Sequence, residues 1–157
     1  PDGRVTLLTN TNKLVKNYNG CDGIKTGFTN EAMYCLSCTA KHGDTRLIAV
    51  VLGEPTISKR TNDIVELLNY GFANYSTEIL ITENDIVQNN YKIWGAREET
   101  IDLVCSDTIN QFKKKGEDQD IIKSIDFDEN IVAPIERGQV LGKIKLMNGE
   151  ILVGESD

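Results

Sequence analysis

At 157 residues with 39% apolar side chains, the chain can build a packed core in one ordinary domain or two small ones, and it is too apolar for a disordered chain. Its formal net charge of −7 argues against a nucleic-acid partner, whose phosphates need a positive stripe, and no apolar run approaches the ~18 residues of a membrane helix. The charge is uneven, with 8 basic and 7 acidic side chains in residues 1–75 but 9 and 17 in residues 76–157, a shift that predicts two domains.

Residue 1 is Pro and no charged-then-apolar leader follows, which predicts a processed or excised piece of a longer protein. Residues 4–20 are polar and irregular, with a helical turn expected over residues 12–18. Asn19-Gly20 and Asp22-Gly23 are turn signals that bracket Cys21. A short strand fits residues 23–28, and Thr29-Asn30-Glu31 turns the chain. Residues 32–41 alternate, with Tyr34, Leu36, Cys38 and Ala40 on one face and Cys35, Ser37, Thr39 and Lys41 on the other.

His42-Gly43-Asp44 is a hairpin turn, with His42 expected in solvent. A third strand runs over residues 45–52. Its unbroken apolar run from Leu47 to Leu52 predicts burial on both faces and helices on each side of the sheet. Residues 58–74 form a helix, because Ile64, Leu68 and Phe72 recur at i, i+4 and i+8 and Val65 and Leu67 widen the stripe.

After Tyr75 the texture changes to short β-rich stretches at residues 78–81, 91–94, 100–104, 121–127, 139–147 and 150–153. Asn148-Gly149 is a two-residue hairpin signal between the last two. Strands at this spacing predict a small β-sandwich or barrel, with Trp94 in its core. Lys113-Lys114-Lys115 reads as a solvated hairpin edge. The fold class is α+β: an antiparallel sheet with a long helix over residues 1–75, then a small all-β domain over residues 76–157.

The four cysteines are Cys21, Cys35, Cys38 and Cys105. Cys35 and Cys38 have C-x-x-C spacing, but Cys21, Cys105 and His42 do not supply a second metal-ligand pair at metal-site spacing. A redox pair would sit at a helix start, whereas these lie on a predicted strand with opposite facing. They read as small buried apolar residues, and neither metal nor cofactor is expected.

The chemistry concentrates in Asp22-Gly23-Ile24-Lys25-Thr26-Gly27-Phe28-Thr29. Lys-Thr-Gly alone is a common triplet. Here it lies on a short strand, followed by a hairpin, an apolar strand and a long helix. Together with Tyr34, residues 46–53 and Leu67-Leu68-Asn69-Tyr70-Gly71-Phe72, it resembles the end of the catalytic domain of serine-type D-alanyl-D-alanine carboxypeptidases, the low-molecular-weight penicillin-binding proteins. Ala133-Pro134-Ile135 and Gly138-Gln139-Val140-Leu141-Gly142 resemble that family's carboxyl-terminal β-domain.

The resemblance implies that Lys25 and Thr26 hold the free carboxylate of a peptidoglycan stem peptide ending in D-Ala-D-Ala, and that β-lactams occupy the same place. Lys25 would also make the site electropositive, favouring a deprotonated nucleophile or base nearby. Gly27 would let a substrate backbone lie against the strand, and the Phe28 backbone N–H would donate into an oxyanion hole. Arg60 matches a position facing the same carboxylate, though a solvated helix charge is the competing reading. Met33 departs from the family, which usually has Gly there, as a tight approach or a positive φ would demand.

The family's nucleophile is the Ser of Ser-x-x-Lys, and no Ser here is followed by Lys three residues on. The second motif, Ser-x-Asn or Ser-x-Gly, is also missing from these residues. The expectation is therefore a fragment that neither hydrolyses D-Ala-D-Ala nor forms a penicillin adduct. Its missing partner would be the amino-terminal half of the catalytic domain, and an open sheet edge would favour self-association. The implied setting is the outer face of a bacterial cytoplasmic membrane. The alternative is a non-catalytic β-domain that positions a partner near that membrane.

Overall fold

A computed structural model describes residues 5, 9–95, 100–128 and 131–157. The opening of the polar segment, at residues 4 and 6–8, lies outside them. The chain divides into two compact units, Pro1–Ser76 and Thr77–Asp157.

In the first unit, a one-turn helix α1 (Leu14–Asn17) leads into β1 (Cys21–Thr29), β2 (Met33–His42) and β3 (Thr45–Glu54), and then α2 (Ile57–Asn74). The strands form one antiparallel sheet in the order β1-β2-β3. Register decides what each face carries, because directly opposed residues point the same way. Thr26 opposes Leu36, which opposes Val51, and Ile24 opposes Cys38, which opposes Ala49. This is the core face: Leu36, Cys38, Ala40, Ala49 and Val51 are buried together with Ile64 and Leu68 of α2.

Helix α2 begins where Thr56, in extended conformation, accepts the Lys59 N–H on its side chain. Its buried residues Arg60, Ile64 and Leu68 recur every fourth position. Gly71 lets the helix approach the sheet, since a Cβ there would lie 2.5 Å from Leu47 Cδ1. Arg46 ties the sheet crosswise. Its guanidinium donates to Thr39 Oγ1 at 2.9 Å on β2 and to both carboxylate oxygens of Asp22 at 2.9 and 2.8 Å on β1. That bidentate bond holds the Asp22 carboxyl below its ordinary pKa.

Two expectations for this unit are corrected. Strand β3 is buried on one face only, for Ile48, Val50 and Leu52 are 67%, 54% and 71% exposed. Helix α2 covers the face of Ala49 and Val51, so the apolar run alternates in and out despite its uniform composition. His42 is not a solvated turn residue. It ends β2 half-buried, its ring stacked 3.9 Å from Phe72 and 6.2 Å from Tyr18, with Nε2 2.9 Å from Asn19 O.

The second unit holds β4 (Tyr75–Ile81, which starts in the first), β5 (Ile86–Lys92), β6 (Thr100–Val104), β7 (Ile109–Lys114), β8 (Ile121–Phe127), β9 (Gly142–Asn148) and β10 (Ile151–Ser156). They form three small sheets, β10-β9-β8, β4-β7 and β5-β6. Cys105, Ile109, Ile144 and Leu146 make the buried core, with Leu80, Ile81, Val87, Ile121 and Ile125 packed around it. The α+β class and the small all-β domain are therefore as expected.

Strand β7 was hidden from sequence because its inward positions include Gln111 and Lys113. These find partners: Gln111 Nε2 donates to Gln119 Oε1 at 2.6 Å, and Lys113 pairs with Glu78. Strand β5 starts at Ile86, earlier than the stretch expected at residues 91–94. Within it Asn90, at φ 52°, sits at a register shift in the β5–β6 pairing and donates its N–H to Asp102 at 2.9 Å.

Residues 139–141 are not strand. Glu136 and Gln139 close a turn around Gly138, whose φ is 87°. The last hairpin pairs Asn148 with Ile151, so its loop is Gly149-Glu150, one residue later than expected, with Gly149 at φ 58°. Trp94 is not core. Ile93 turns inward at 6% exposure, and the next residue, Trp94, points the other way at 80%.

Candidate functional site

The Lys25-Thr26-Gly27 triplet occupies β1, the edge strand of the first sheet. Its neighbours across the hairpin are fixed by register: Lys25 opposes Ser37, Thr26 opposes Leu36, Gly27 opposes Cys35 and Phe28 opposes Tyr34. Lys25 and Gly27 therefore share the face of Ser37, Val50 and Ile48, away from α2. Lys25 is exposed, with its ammonium 2.9 Å from the Thr26 carbonyl. A Cβ at Gly27 would meet only Cys35 Cβ, at an ordinary 3.8 Å. The Phe28 ring packs on Tyr34 with centroids 4.5 Å apart.

Thr26 is anchored from the polar segment that precedes α1. Its hydroxyl lies 2.7 Å from the Thr11 hydroxyl. Thr11 is fixed by its neighbours. Asn12 is 2% exposed, donates its side-chain amide to Gly23 O at 3.1 Å and accepts the Leu14 N–H at 3.1 Å. Asn10 Oδ1 accepts the Asn12 N–H at 2.9 Å. The signal was present as Asn10-Thr11-Asn12 ahead of a helical turn, where short polar side chains bind nearby backbone. A contact to a strand 15 residues on has no signature in one sequence.

Arg60 is 6% exposed, so the solvated-charge reading is overturned. Its Nη1 donates to Cys35 O at 3.4 Å, the residue opposite Gly27, and its buried Nε has no hydrogen-bond partner among the described residues. Met33 takes φ 54° at the end of the β1–β2 turn, opposite Thr29. The backbone there keeps the left-handed form that a Gly would favour, with a side chain present. Cys35 and Cys38 face opposite sides of β2, and the thiol that meets Cys38 is Cys21, at 3.4 Å.

Elsewhere, a cavity of about 800 Å³ opens within the second unit, lined among others by Val87, Ile101, Leu103, Phe127 and Ile144. None of the triplet residues lines it. Among the described residues no helix is long and apolar enough to cross a membrane.

An edge strand bearing Lys-Thr-Gly, a long helix behind its sheet and a separate all-β unit define a layout that known proteins share. Residues 4–56 match the family described as D-alanyl-D-alanine carboxypeptidase, and residues 75–157 match the penicillin-binding protein 5 C-terminal domain. The chain is 43% identical over 147 residues to the D-alanyl-D-alanine carboxypeptidase DacF of Bacillus subtilis, covering 92% of this chain and 38% of that one. It is 33% identical over 144 residues to DacC of Escherichia coli, covering 90% and 36%. Among solved structures, penicillin-binding protein 5 of Haemophilus influenzae superposes with a TM-score of 0.68 at 27% identity, covering 91% of this chain and 42% of that one. The chain belongs to the D-alanyl-D-alanine carboxypeptidase family of penicillin-binding proteins. It spans under half the length of these relatives.

Proposed function

We propose that the first unit is the carboxyl-terminal part of the catalytic domain of a serine D-alanyl-D-alanine carboxypeptidase. That enzyme removes the terminal D-Ala from peptidoglycan stem peptides through an acyl-enzyme and binds β-lactams. Residues 76–157 form its β-sandwich carboxyl-terminal domain. The observation that carries the reading is the Lys25-Thr26-Gly27 strand, at a sheet edge with Lys25 and Gly27 on the open face.

Lys25 supplies the ammonium and Thr26 the hydroxyl that hold the substrate carboxylate. Gly27 fits a partner from outside the chain, because nothing on the protein side would be crowded by a Cβ there. Arg60 supports the same site: a guanidinium this buried, with Nε unpartnered, can accept an anion cheaply once one arrives. The Phe28 N–H is the oxyanion donor, a role that can be worth ~3 kcal/mol. Thr11 is a positioning residue: its hydroxyl, 2.7 Å from Thr26 Oγ1, fixes where the Thr26 hydroxyl sits.

The nucleophile must come from elsewhere, since these 157 residues contain no Ser-x-x-Lys. The amino-terminal half of the catalytic domain is the proposed partner. The bare face of Ile48, Val50 and Leu52, shared with Lys25 and Gly27, is where it would pack. Without it, that face and the sheet edge favour self-association of the chain. Action on stem peptides places the parent protein outside the bacterial cytoplasmic membrane, at its outer face.

The test is Lys25→Ala in the full-length protein, followed by D-Ala release and by labelling with a fluorescent penicillin. A loss of at least 100-fold in D-Ala release is expected from losing a charge-assisted contact made by substrate and transition state. Unchanged turnover would overturn the assignment. The 157-residue chain should show no mass addition after penicillin, and a stoichiometric adduct would show a nucleophile within it.

A second reading concerns the β-unit, whose cavity of about 800 Å³ is within the size range of ligand sites. It casts that unit as a non-catalytic module for a partner near the membrane. Retained D-Ala release with lost membrane-fraction recovery on deleting residues 77–157 would favour it.

A further inference from the structure

Two of the four thiols meet inside the first unit. Cys21 Sγ lies 3.4 Å from Cys38 Sγ, at van der Waals contact for two sulfurs, although 17 residues separate them. Cys21 opposes Ala40 at the start of β1, and Cys38 opposes Ile24. The register shift after Cys21 brings the two side chains diagonally together on the core face. The other thiols are engaged locally, Cys35 with Ala32 O at 3.2 Å and Cys105 with Asp107 O at 3.1 Å.

We infer that Cys21 and Cys38 form an oxidative modification site, in which a hydroperoxide converts the thiol pair into a disulfide that staples the Lys-Thr-Gly strand to β2. The pair is asymmetric in the way such a reaction needs. Cys21 retains 8% exposure, whereas Cys38 has none, so a small oxidant reaches Cys21 first. Burial, and then Cys21 beside it, push the Cys38 thiol up to about 12, which makes Cys38 the weaker nucleophile and its attack the slow step, carried by the 3.4 Å contact.

The steps balance. Cys21 sulfur attacks the terminal peroxide oxygen, the O–O bond breaks, and the leaving alkoxide (hydroxide for hydrogen peroxide) takes the thiol proton as an alcohol or water, leaving a sulfenic acid. Cys38 sulfur then attacks Cys21 sulfur, the S–O bond breaks, and the departing hydroxide leaves as water with the Cys38 proton. Two thiols lose two electrons and the peroxide gains them.

The staple would act on the site from behind. The Asn12 side-chain amide that donates to Gly23 O also reaches Cys38 Sγ at 3.9 Å, and the adjacent Thr11 bonds Thr26. Oxidation therefore changes the packing directly beneath the segment that orients Thr26. The inference concerns the thiols alone and stands apart from the enzymatic reading.

The test uses the 157-residue chain under native conditions. It is treated with hydrogen peroxide, alkylated and mapped by mass spectrometry. The expected result is loss of two thiols, with the Cys21–Cys38 link at least ten-fold more abundant than any other pair. In Cys38→Ser, Cys21 should instead accumulate as a sulfenic acid trapped by dimedone. Four free thiols after treatment, or links scattered among all the cysteines, would overturn the inference. So would a Cys21 sulfenic yield equal in wild type and Cys38→Ser. If the variant fails to fold, the wild-type map decides alone.

Discussion

The two units bury their apolar residues in different ways. In the first, nine described residues, Leu14 of α1 among them, converge on one buried cluster between a single sheet face and the helices. The opposite face keeps Ile48, Val50 and Leu52 bare. In the second, four described residues form the buried core, set among three small sheets. Its exposed apolar residues, such as Ile79, Trp94, Ile122 and Ile151, are scattered over several strands. The contrast teaches that the first unit packs densely behind one face of its sheet, the face that backs the Lys-Thr-Gly strand, and leaves the other face apolar and bare.

The strongest attempt to break that contrast is Leu68→Ala. Leu68 is 1% exposed in the α2–sheet core, and the truncation should cost about 3 kcal/mol. Urea unfolding followed by far-ultraviolet dichroism should lose an early transition belonging to the first unit, with the β-unit's transition in place. A common shift of all signals would mean that the two cores are one cooperative system.

Thr11→Val tests whether the packed side serves the site. In the full-length protein it should lower kcat/KM for D-Ala-D-Ala peptides about five-fold, the worth of one neutral hydrogen bond. Thr11→Ser should restore it. A loss that Ser does not rescue would mark the position as merely structural. Met33→Gly is smaller and of opposite sign. Relieving a side chain at φ 54° should raise stability by about 0.5 kcal/mol after the added chain entropy of glycine, read as a higher urea midpoint. Trp94→Ala should move stability by less than about 0.5 kcal/mol, because the ring is 80% exposed. A drop of about 3 kcal/mol would restore it to a core.

Much of the first unit was legible because its signals are local. Turn residues bracket β1, two-residue alternation marks β2, and four-residue spacing marks α2. The covered face of β3 was not legible, since a uniformly apolar run says nothing about which alternate residues find a partner. In the second unit, β7 hid behind inward polar residues that pair with Gln119 and Glu78. Trp94 misled because size and hydrophobicity predict burial on average, while strand parity decided its direction. At the site, the motif strand could be read directly. The support from Thr11 and the burial of Arg60 depend on contacts across 15 and 25 residues of chain, and these exist only once the sheet is assembled.

The crosswise tie from Arg46 to Thr39 and Asp22 is half-exposed on both charged partners, with side-chain exposures of 44% and 52%, and so adds little to stability. Its geometry matters more than its strength. The three bonds span all three strands, and a slip of β1 by one residue would break the two to Asp22. The same slip would turn Lys25 toward α2 and Thr26 outward. An ion pair of small energetic worth thus acts as an alignment pin, helping to keep Lys25, and not its neighbour Thr26, on the open face.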